Sequence, residues 1–253
     1  MVKFNGVPIV AGVFPNNERY YSPLRDTFSK EKTQIITVIF EGNQDLFDAL
    51  IYKKYLDNLG YTKVVLNIPF MPYGQMDRNM PDKMFSFKFF AQLINDANFY
   101  RVRFCDPHSY VMDAAIQNSQ VWYPFLPGNV VYDLFFYPDN GAAKKYSEIY
   151  SVPYRFGNKK RNLDTGEIIK YEVIADREDI FNKDILIRDD ICMGGRTFKE
   201  AAKALKEMGA KRVDLYITHL MPQAENFYKN YKDYGIDNFY SENTLNMPWV
   251  EFK

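Results

Sequence analysis

Cysteine and histidine are nearly missing from this chain: its 253 residues hold two of each. Cys105 and Cys192 are far apart and show no partner spacing, which argues against a disulfide scaffold or a structural zinc and fits a reducing compartment. Net charge is missing too, since 32 basic residues balance 32 acidic ones. The sequence therefore makes no electrostatic case for nucleic acid or an anionic membrane surface, and any phosphate binding has to be local. No apolar run approaches membrane-spanning length, and the opening MVKFNGVPIV lacks signal-peptide organisation. A soluble, cytoplasmic protein is the expectation. Low-complexity tracts and convincing internal repeats are absent as well.

What the chain has in plenty is aromatic side chains, at 17% of residues, so core material is ample. Apolar strand-like runs alternate with helix-period segments. QIITVIF (34–40) reads as a buried strand. The following segment places Phe47, Leu50, Ile51, Tyr55 and Leu59 on one helical face and stops at Gly60. KVVLNIPF is a second strand. A second helix follows with Phe85, Phe89, Phe90, Leu93 and Ile94 in its stripe, and VRFCD ends a third strand at Asp106. After the proline-containing link WYPFLPGN the alternation resumes with VVYDLFFYP, GAAKKYSEIY, IIKYEVIA, ILIRDD, a helix from Thr197 to Met208, and RVDLYITH. Strands separated by helices imply βαβ units and mainly parallel sheets. The break near residue 122 predicts two α/β domains, 1–122 and 123–253.

Ligands of open α/β sheets bind beyond the carboxyl ends of the strands, so polar residues just after a strand matter most. Four such places stand out: PYGQMDRN (72–79), Asp106-Pro107-His108-Ser109, YPDNGAA (137–143) and DDICMGGRT (189–197). Each has a plain structural reading. Asp-Pro-His can be a capped helix start, and PDNG an ordinary turn. Asp77–Arg78 can be a surface ion pair of little value. Asp189 and Asp190 can be acids favoured near a helix N-terminus. Thr197 with Glu200 predicts a capping box at that helix start, while the unpaired N–H groups there suit an anion. GNKKRNLDTGEI (157–168) reads as a solvated hairpin with cationic residues.

In order, these segments resemble the phosphoribosyl pyrophosphate synthetases, ribose-phosphate diphosphokinases of the type I phosphoribosyltransferase fold. Against the family's IPY-x-x-Y-A-R-Q-D-R, D-L-H, S-P-D-x-G-G and D-D-I-x-D-T-G-G-T, this chain has IPFMPYGQMDR, DPH, YPDNGA and DDICMGGRT. VFPNNE (13–18) echoes a further loop, R-F-x-D-G-E. The resemblance spans nearly the whole chain, and it implies two phosphoribosyltransferase-like domains. It also implies transfer of the β,γ-diphosphoryl group of ATP to the anomeric hydroxyl of a ribose 5-phosphate compound, with Mg²⁺. The N-terminal domain would be the ATP side, and the C-terminal domain would bind the ribose phosphate.

By the same resemblance His108 and Asp139 hold the metal–ATP unit, Asp139 being the more natural Mg²⁺ ligand because that ion prefers oxygen. Asp189 and Asp190 accept hydrogen bonds from vicinal ribose hydroxyls. The loop Cys192, Met193, Gly194, Gly195, Arg196 and Thr197 cradles the 5-phosphate. Lys159 and Arg161, with Lys160 as the alternative in register, close over the transferring phosphates. Gln75, Asp77 and Arg78 lie on the ATP side, and Phe14, Asn16 and Glu18 approach the adenine of a neighbouring subunit. A homo-oligomer with shared sites, a dimer or larger, follows.

The sequence also departs from the family. Gln75 and Met76 stand where Arg and Gln are usual, Asn16-Asn17 replaces Asp-Gly, and Val13 replaces Arg. Met193 and Gly194 replace the Asp-Thr of the phosphate loop, and Arg196 replaces its second Gly. Losing a hydroxyl ligand while gaining a guanidinium points to a roomier anion site, because Arg grips phosphate or pyrophosphate in bidentate fashion. A 5-substituted acceptor such as ADP-ribose suits that better than free ribose 5-phosphate, as in virus-encoded relatives that serve NAD salvage in the host cytoplasm. Two other classes compete. A phosphoribosyltransferase would need the sugar-phosphate loop but not PYGQMDR and DPH. A silent synthetase-like subunit would normally lose Lys159, Arg161, His108 and Asp139, all of which are here.

Overall fold

A computed structural model describes residues 1–23, 29–125, 130–161 and 168–250, with the backbone alone described at 159–161 and 168–170. The chain divides into two compact units, Met1–Tyr123 and Pro124–Lys253.

The first unit runs β1 (Val2–Phe4), β2 (Val7–Pro8), β3 (Ala11–Val13), β4 (Arg19–Tyr21), β5 (Gln34–Val38), α1 (Asn43–Asn58), β6 (Val64–Asn67), α2 (Ser86–Asp96), β7 (Arg101–Cys105), α3 (Tyr110–Ala115) and β8 (Ser119–Trp122). Its main sheet has the order β2-β1-β5-β6-β7-β8, with β5 to β8 parallel and β1 and β2 added antiparallel at one edge. Strands β3 and β4 form a separate hairpin.

The two long helices here correct the predicted apolar faces. In α1 the buried stripe is Leu46, Ala49, Tyr52 and Leu56, while Phe47 and Leu59 are exposed and Leu50, Ile51 and Tyr55 are half-buried. The sequence reading misplaced the face because it assigned polar residues to solvent. Asp48 and Lys53 are buried instead, each with a partner: Lys53 pairs with Asp57 at 2.6 Å and lies over the Phe99 ring. In α2 the core side is Phe87, Phe90, Ala91 and Ile94, whereas Phe89 and Leu93 are exposed and Phe85 packs at the margin.

The second unit runs β9 (Leu134–Tyr137), α4 (Asn140–Ser147), β10 (Tyr154–Arg161), β11 (Ile168–Ile174), α5 (Arg177–Ile180), β12 (Asp184–Cys192), α6 (Arg196–Glu207), β13 (Arg212–Leu220), α7 (Glu225–Lys229) and β14 (Asn238–Ser241). Its sheet has the order β11-β10-β9-β12-β13-β14, parallel throughout except for the antiparallel edge strand β11. The period-two alternation sorts its strands between two cores. Phe136, Ile187 and Ile217 face one side with α6; Phe135, Leu186 and Tyr216 face the other with α4. A sheet covered on both faces explains the near-continuous apolar runs that marked these strands in the sequence. Helix α6 buries Phe198, Ala201, Ala202 and Leu205, a spacing that keeps one face on the sheet.

Among the described residues, no helix is long and apolar enough to cross a membrane.

Candidate active site

In the first unit, the segments after β6 and β7 leave neighbouring parallel strands at the same edge. Backbone bonds tie the strand ends together, Cys105 N–H to Pro69 C=O and Asp106 N–H to Trp122 C=O, each at 2.9 Å. Two non-glycine residues there adopt left-handed backbone, Tyr73 at φ 64° and Asp106 at φ 39°. That region is costly for a bulky residue and persists where surroundings over-determine it. Tyr73 is held by its ring stacked 5.0 Å from Phe90 and by its hydroxyl, which donates to Asn43 Oδ1 at 2.9 Å. Asp106 is fully buried, and His108 just beyond it is exposed. The PYG turn packs on α3, where Met112 fills the space beside Gly74. The structure thus brings PYGQMDR and DPH together. Gln75 is exposed, and Asp77 and Arg78 approach at 3.6 Å with Arg78 largely in solvent.

Phe14, Asn16 and Glu18 occupy the turn between β3 and β4, closed by Phe14 N–H to Glu18 C=O at 2.8 Å. Phe14 lies 4.7 Å from Tyr20, and both rings are about half exposed. One acid fastens this hairpin to α1: buried Asp48 accepts from the Arg19 guanidinium at 2.5 Å, the Tyr21 hydroxyl at 2.7 Å and Gln44 at 2.6 Å. Burial, then the bond to Asp48, pushes the Tyr21 phenol up to about 12.

In the second unit, the chain lays β10 and β11 on one side of β9 and then crosses back to place β12, β13 and β14 on the other. The order reverses between β9 and β12, and such a switch point opens a crevice at the strands' carboxyl ends. Asp139 sits there after β9; its Oδ1 accepts from Ala142 N–H at 3.0 Å and so caps α4. Asp189 and Asp190 lie within β12, which runs on to Cys192 rather than stopping at the acids. The two are not equivalent, because Asp189 is half-buried and Asp190 almost wholly buried.

The loop that follows is built around Gly195, at φ 74°. A Cβ at Gly195 would lie 2.1 Å from Cγ of Phe227, so only glycine fits. Gly195 is the N-cap of α6, with no side-chain cap bond. This corrects the predicted capping box: the helix begins at Arg196, which puts Thr197 inside its first turn. Met193, Gly194 and Arg196 are exposed, Thr197 is half-buried, and nothing lies within 4 Å of a Cβ built on Gly194. Cys192 is fully buried; burial, then the Asp189 charge, pushes its thiol up to about 12 against a smaller opposing effect of the Gly195 N–H.

The cationic segment pairs as an antiparallel strand hairpin, the form read from its sequence: Gly157 to Arg161 belong to β10 and Ile168 opens β11, with Lys159 opposite Tyr171 and Arg161 opposite Ile168. The backbone of Lys159, Lys160 and Arg161 is described, while 162–167 lie outside the described residues.

Sequence reasoning passed over Arg188. It is fully buried between the rings of Tyr146 and Tyr216, at 4.5 and 4.6 Å, and donates to Thr218 Oγ1 at 2.8 Å and to the Asp189 carbonyl. Arg188 and Asp190 are two apart on one strand and share a face, so the buried acid has a buried cation beside it. A single cation at the end of the apolar run in ILIRDD was the available signal.

No family model matches the chain. The ribose-phosphate pyrophosphokinase of Saccharolobus solfataricus is 23% identical over 259 residues, covering 97% of this chain and 88% of that protein. That of Sulfolobus acidocaldarius is 24% identical, with coverages of 94% and 85%. That of Thermosipho africanus is 29% identical over 192 residues, 70% of this chain and 59% of that protein. The phosphoribosylpyrophosphate synthetase from Mycobacterium smegmatis superposes with a TM-score of 0.74 at 21% identity, covering 97% of this chain and 84% of that one. The resemblance carried by the motifs therefore extends along the chain in sequence and in fold, the fold being that of the phosphoribosylpyrophosphate synthetase.

Proposed function

We propose that the chain is a ribose-phosphate pyrophosphokinase, moving the β,γ-diphosphoryl group of ATP to the anomeric hydroxyl of a ribose 5-phosphate compound. One observation carries this reading. The turn with Asp139 follows β9, and the segment from Asp189 to Thr197 spans the end of β12 and the loop after it, the two strands being those that flank the switch point. Relatives that match most of the chain are named for the same reaction.

The transition state of such a transfer carries dense negative charge, so the protein's part is positioning and charge stabilisation. Asp189 would orient the sugar through its hydroxyls, with Asp190 and Arg188 fixing the strand beneath. The N–H groups at the start of α6 and the Arg196 guanidinium would hold the 5-phosphate. Lys159 and Arg161, on the β10 hairpin, would stabilise the transferring phosphates. In the first unit, Phe14, Asn16, Glu18, Gln75, Asp77, Arg78 and His108 would serve the nucleotide.

Among the described residues no three His, Cys, Asp or Glu groups form a metal cage. Mg²⁺ takes one or two carboxylates and keeps its waters and substrate phosphates, and Asp139 would serve as such a carboxylate. Bound Mg²⁺ supplies neutralisation of phosphate charge. The exposed Phe14 turn supports a homo-oligomer with shared sites, which light scattering would test.

A second reading of the acceptor rests on the loop itself. With Met193, Gly194 and Arg196 exposed and open space beside Gly194, the phosphate cup is unlidded on that side. A 5-substituted ribose such as ADP-ribose would be accommodated there. The test is AMP release from ATP and Mg²⁺ with ribose 5-phosphate or with ADP-ribose. Acceptor-dependent AMP is expected, and a faster rate with ADP-ribose would establish the open-cup reading. Equal rates would refute the loop argument, and no AMP with either acceptor would refute the kinase. Arg161→Ala should cut turnover by roughly 100-fold or more at unchanged melting temperature.

A further inference from the structure

The sheet edge that carries the cationic hairpin is joined to the switch point by one side chain that no motif includes. Tyr171, on β11, reaches across the neighbouring strand, and its hydroxyl donates to the carbonyl of Pro138 at 3.2 Å, the residue just before Asp139. The path is open because residue 157 on β10 is glycine: a Cβ there would lie 2.1 Å from the Tyr171 Oη and 3.1 Å from the same Pro138 oxygen. Gly157 and Tyr171 are thus complementary, the missing side chain on one strand being filled by the ring from the next. The ring's far side packs on the core beneath α6.

Register adds the second half. Tyr171 stands opposite Lys159 in the β10–β11 ladder. The carboxylates of Asp139 and Asp189 both bear on the Tyr171 hydroxyl and, after burial, are the causes that hold its proton on. One phenol therefore touches the turn before Asp139, lies within the field of Asp189, and shares a ladder rung with Lys159.

We propose that Tyr171 is a positioning residue of the sugar-phosphate site, locking the base of the cationic hairpin to the Asp139 turn with Gly157 as its obligatory gap. It rests on the reading given above for Lys159, Asp139 and Asp189. Losing the hydroxyl removes the bond to Pro138 without emptying the space, so the hairpin should pivot on its ladder while the core stays packed.

The experiment compares wild type, Tyr171→Phe, Gly157→Ala and the double variant. It measures kcat and KM for ATP and acceptor, melting temperature, and amide hydrogen exchange over residues 154–161 and 168–174. Tyr171→Phe is expected to lower kcat about 10-fold, leave KM for ATP within about 2-fold, and speed hairpin exchange at least 5-fold, with the melting temperature almost unmoved. Gly157→Ala should reproduce the kcat and exchange changes with a lower melting temperature from the added Cβ, and the double variant should cost less than the sum of the two, since both act on one contact. Unchanged kcat and exchange in Tyr171→Phe would overturn the proposal, as would a fall in melting temperature with kcat intact. If wild type itself lacks the activity, the functional reading fails. Hydrogen exchange then decides the hairpin lock alone: faster exchange supports it, and unchanged exchange overturns it.

Discussion

Replacing Gly195 by alanine attacks the loop at its tightest point, and the structure sets the size of the effect. The residue stands at φ 74°, a conformation that costs an L-residue about 1–2 kcal/mol. The added Cβ would also lie 2.1 Å from Cγ of Phe227 and 2.4 Å from each Cδ. That ring cannot step aside, being 1% exposed, stacked on Tyr234 at 5.8 Å and flanked by Phe198 and Phe239. Overpacking of this kind costs about 1–3 kcal/mol. The two contributions give a loss of about 2–5 kcal/mol in the second unit.

The chain's two tryptophans make that unit readable alone: Trp122 lies in the first unit, and Trp249 packs on Tyr228 in the second. In a Trp122→Phe background, urea unfolding followed by fluorescence reports Trp249. The unfolding free energy should fall by the amount above, and the urea midpoint by that amount divided by the m-value. Truncating Phe227 to alanine should remove the steric part, so that Gly195→Ala then adds only about 1–2 kcal/mol. A Gly195→Ala chain within about 0.5 kcal/mol of the parent would refute the reasoning. So would an equal cost in both backgrounds, because the ring would then play no part.

Two further outcomes follow from features elsewhere in the fold. Burial lifts the Cys192 thiol from its ordinary 9.0 to about 12, so the folded chain keeps a proton that the unfolded chain loses. Its contribution to stability is fully present below pH about 9 and is lost as pH rises toward 12. Native protein should accordingly resist iodoacetamide at pH 8 at this position while urea-unfolded protein reacts, and rapid native labelling would count against it. Asp48→Ala should strip two hydrogen bonds from the β3–β4 hairpin and one from within α1, costing about 1–3 kcal/mol and raising KM for ATP more than KM for the acceptor. An equal rise in both would separate the hairpin from the nucleotide.

Much of this architecture was legible because parallel strands buried on both faces write themselves as apolar runs, as LFFY and ILI do. The four strand-end segments were legible for the same reason: each follows such a run. The short strands β1 to β4 and the edge strands β8 and β14 were not, since two to four residues are too few to show a period. The helix faces of α1 and α2 were misplaced where charge and burial part company. Asp48 and Lys53 go inside because partners fixed by the fold await them, while Phe47 and Phe89 stay outside. The start of α6 was misread because Thr-x-x-Glu imitates a capping box, and the deciding fact, a ring pressed on Gly195, comes from a distant part of the chain. Tyr171 escaped notice for a similar reason, as its meaning depends on a glycine in the neighbouring strand.

The reversal of strand order between β9 and β12 has a bearing on how the chain assembles. These strands are neighbours in space, yet α4, β10, β11 and α5 all intervene in sequence. The β10–β11 hairpin can zip locally, whereas the β9–β12 ladder must wait for a long loop to close, the slow kind of pairing in folding. Asp139 and Asp189 are therefore brought to one crevice by a late event. During refolding, helical signal and hairpin protection should return before the crevice exists, and recovered ligand binding would time the closure of the sheet.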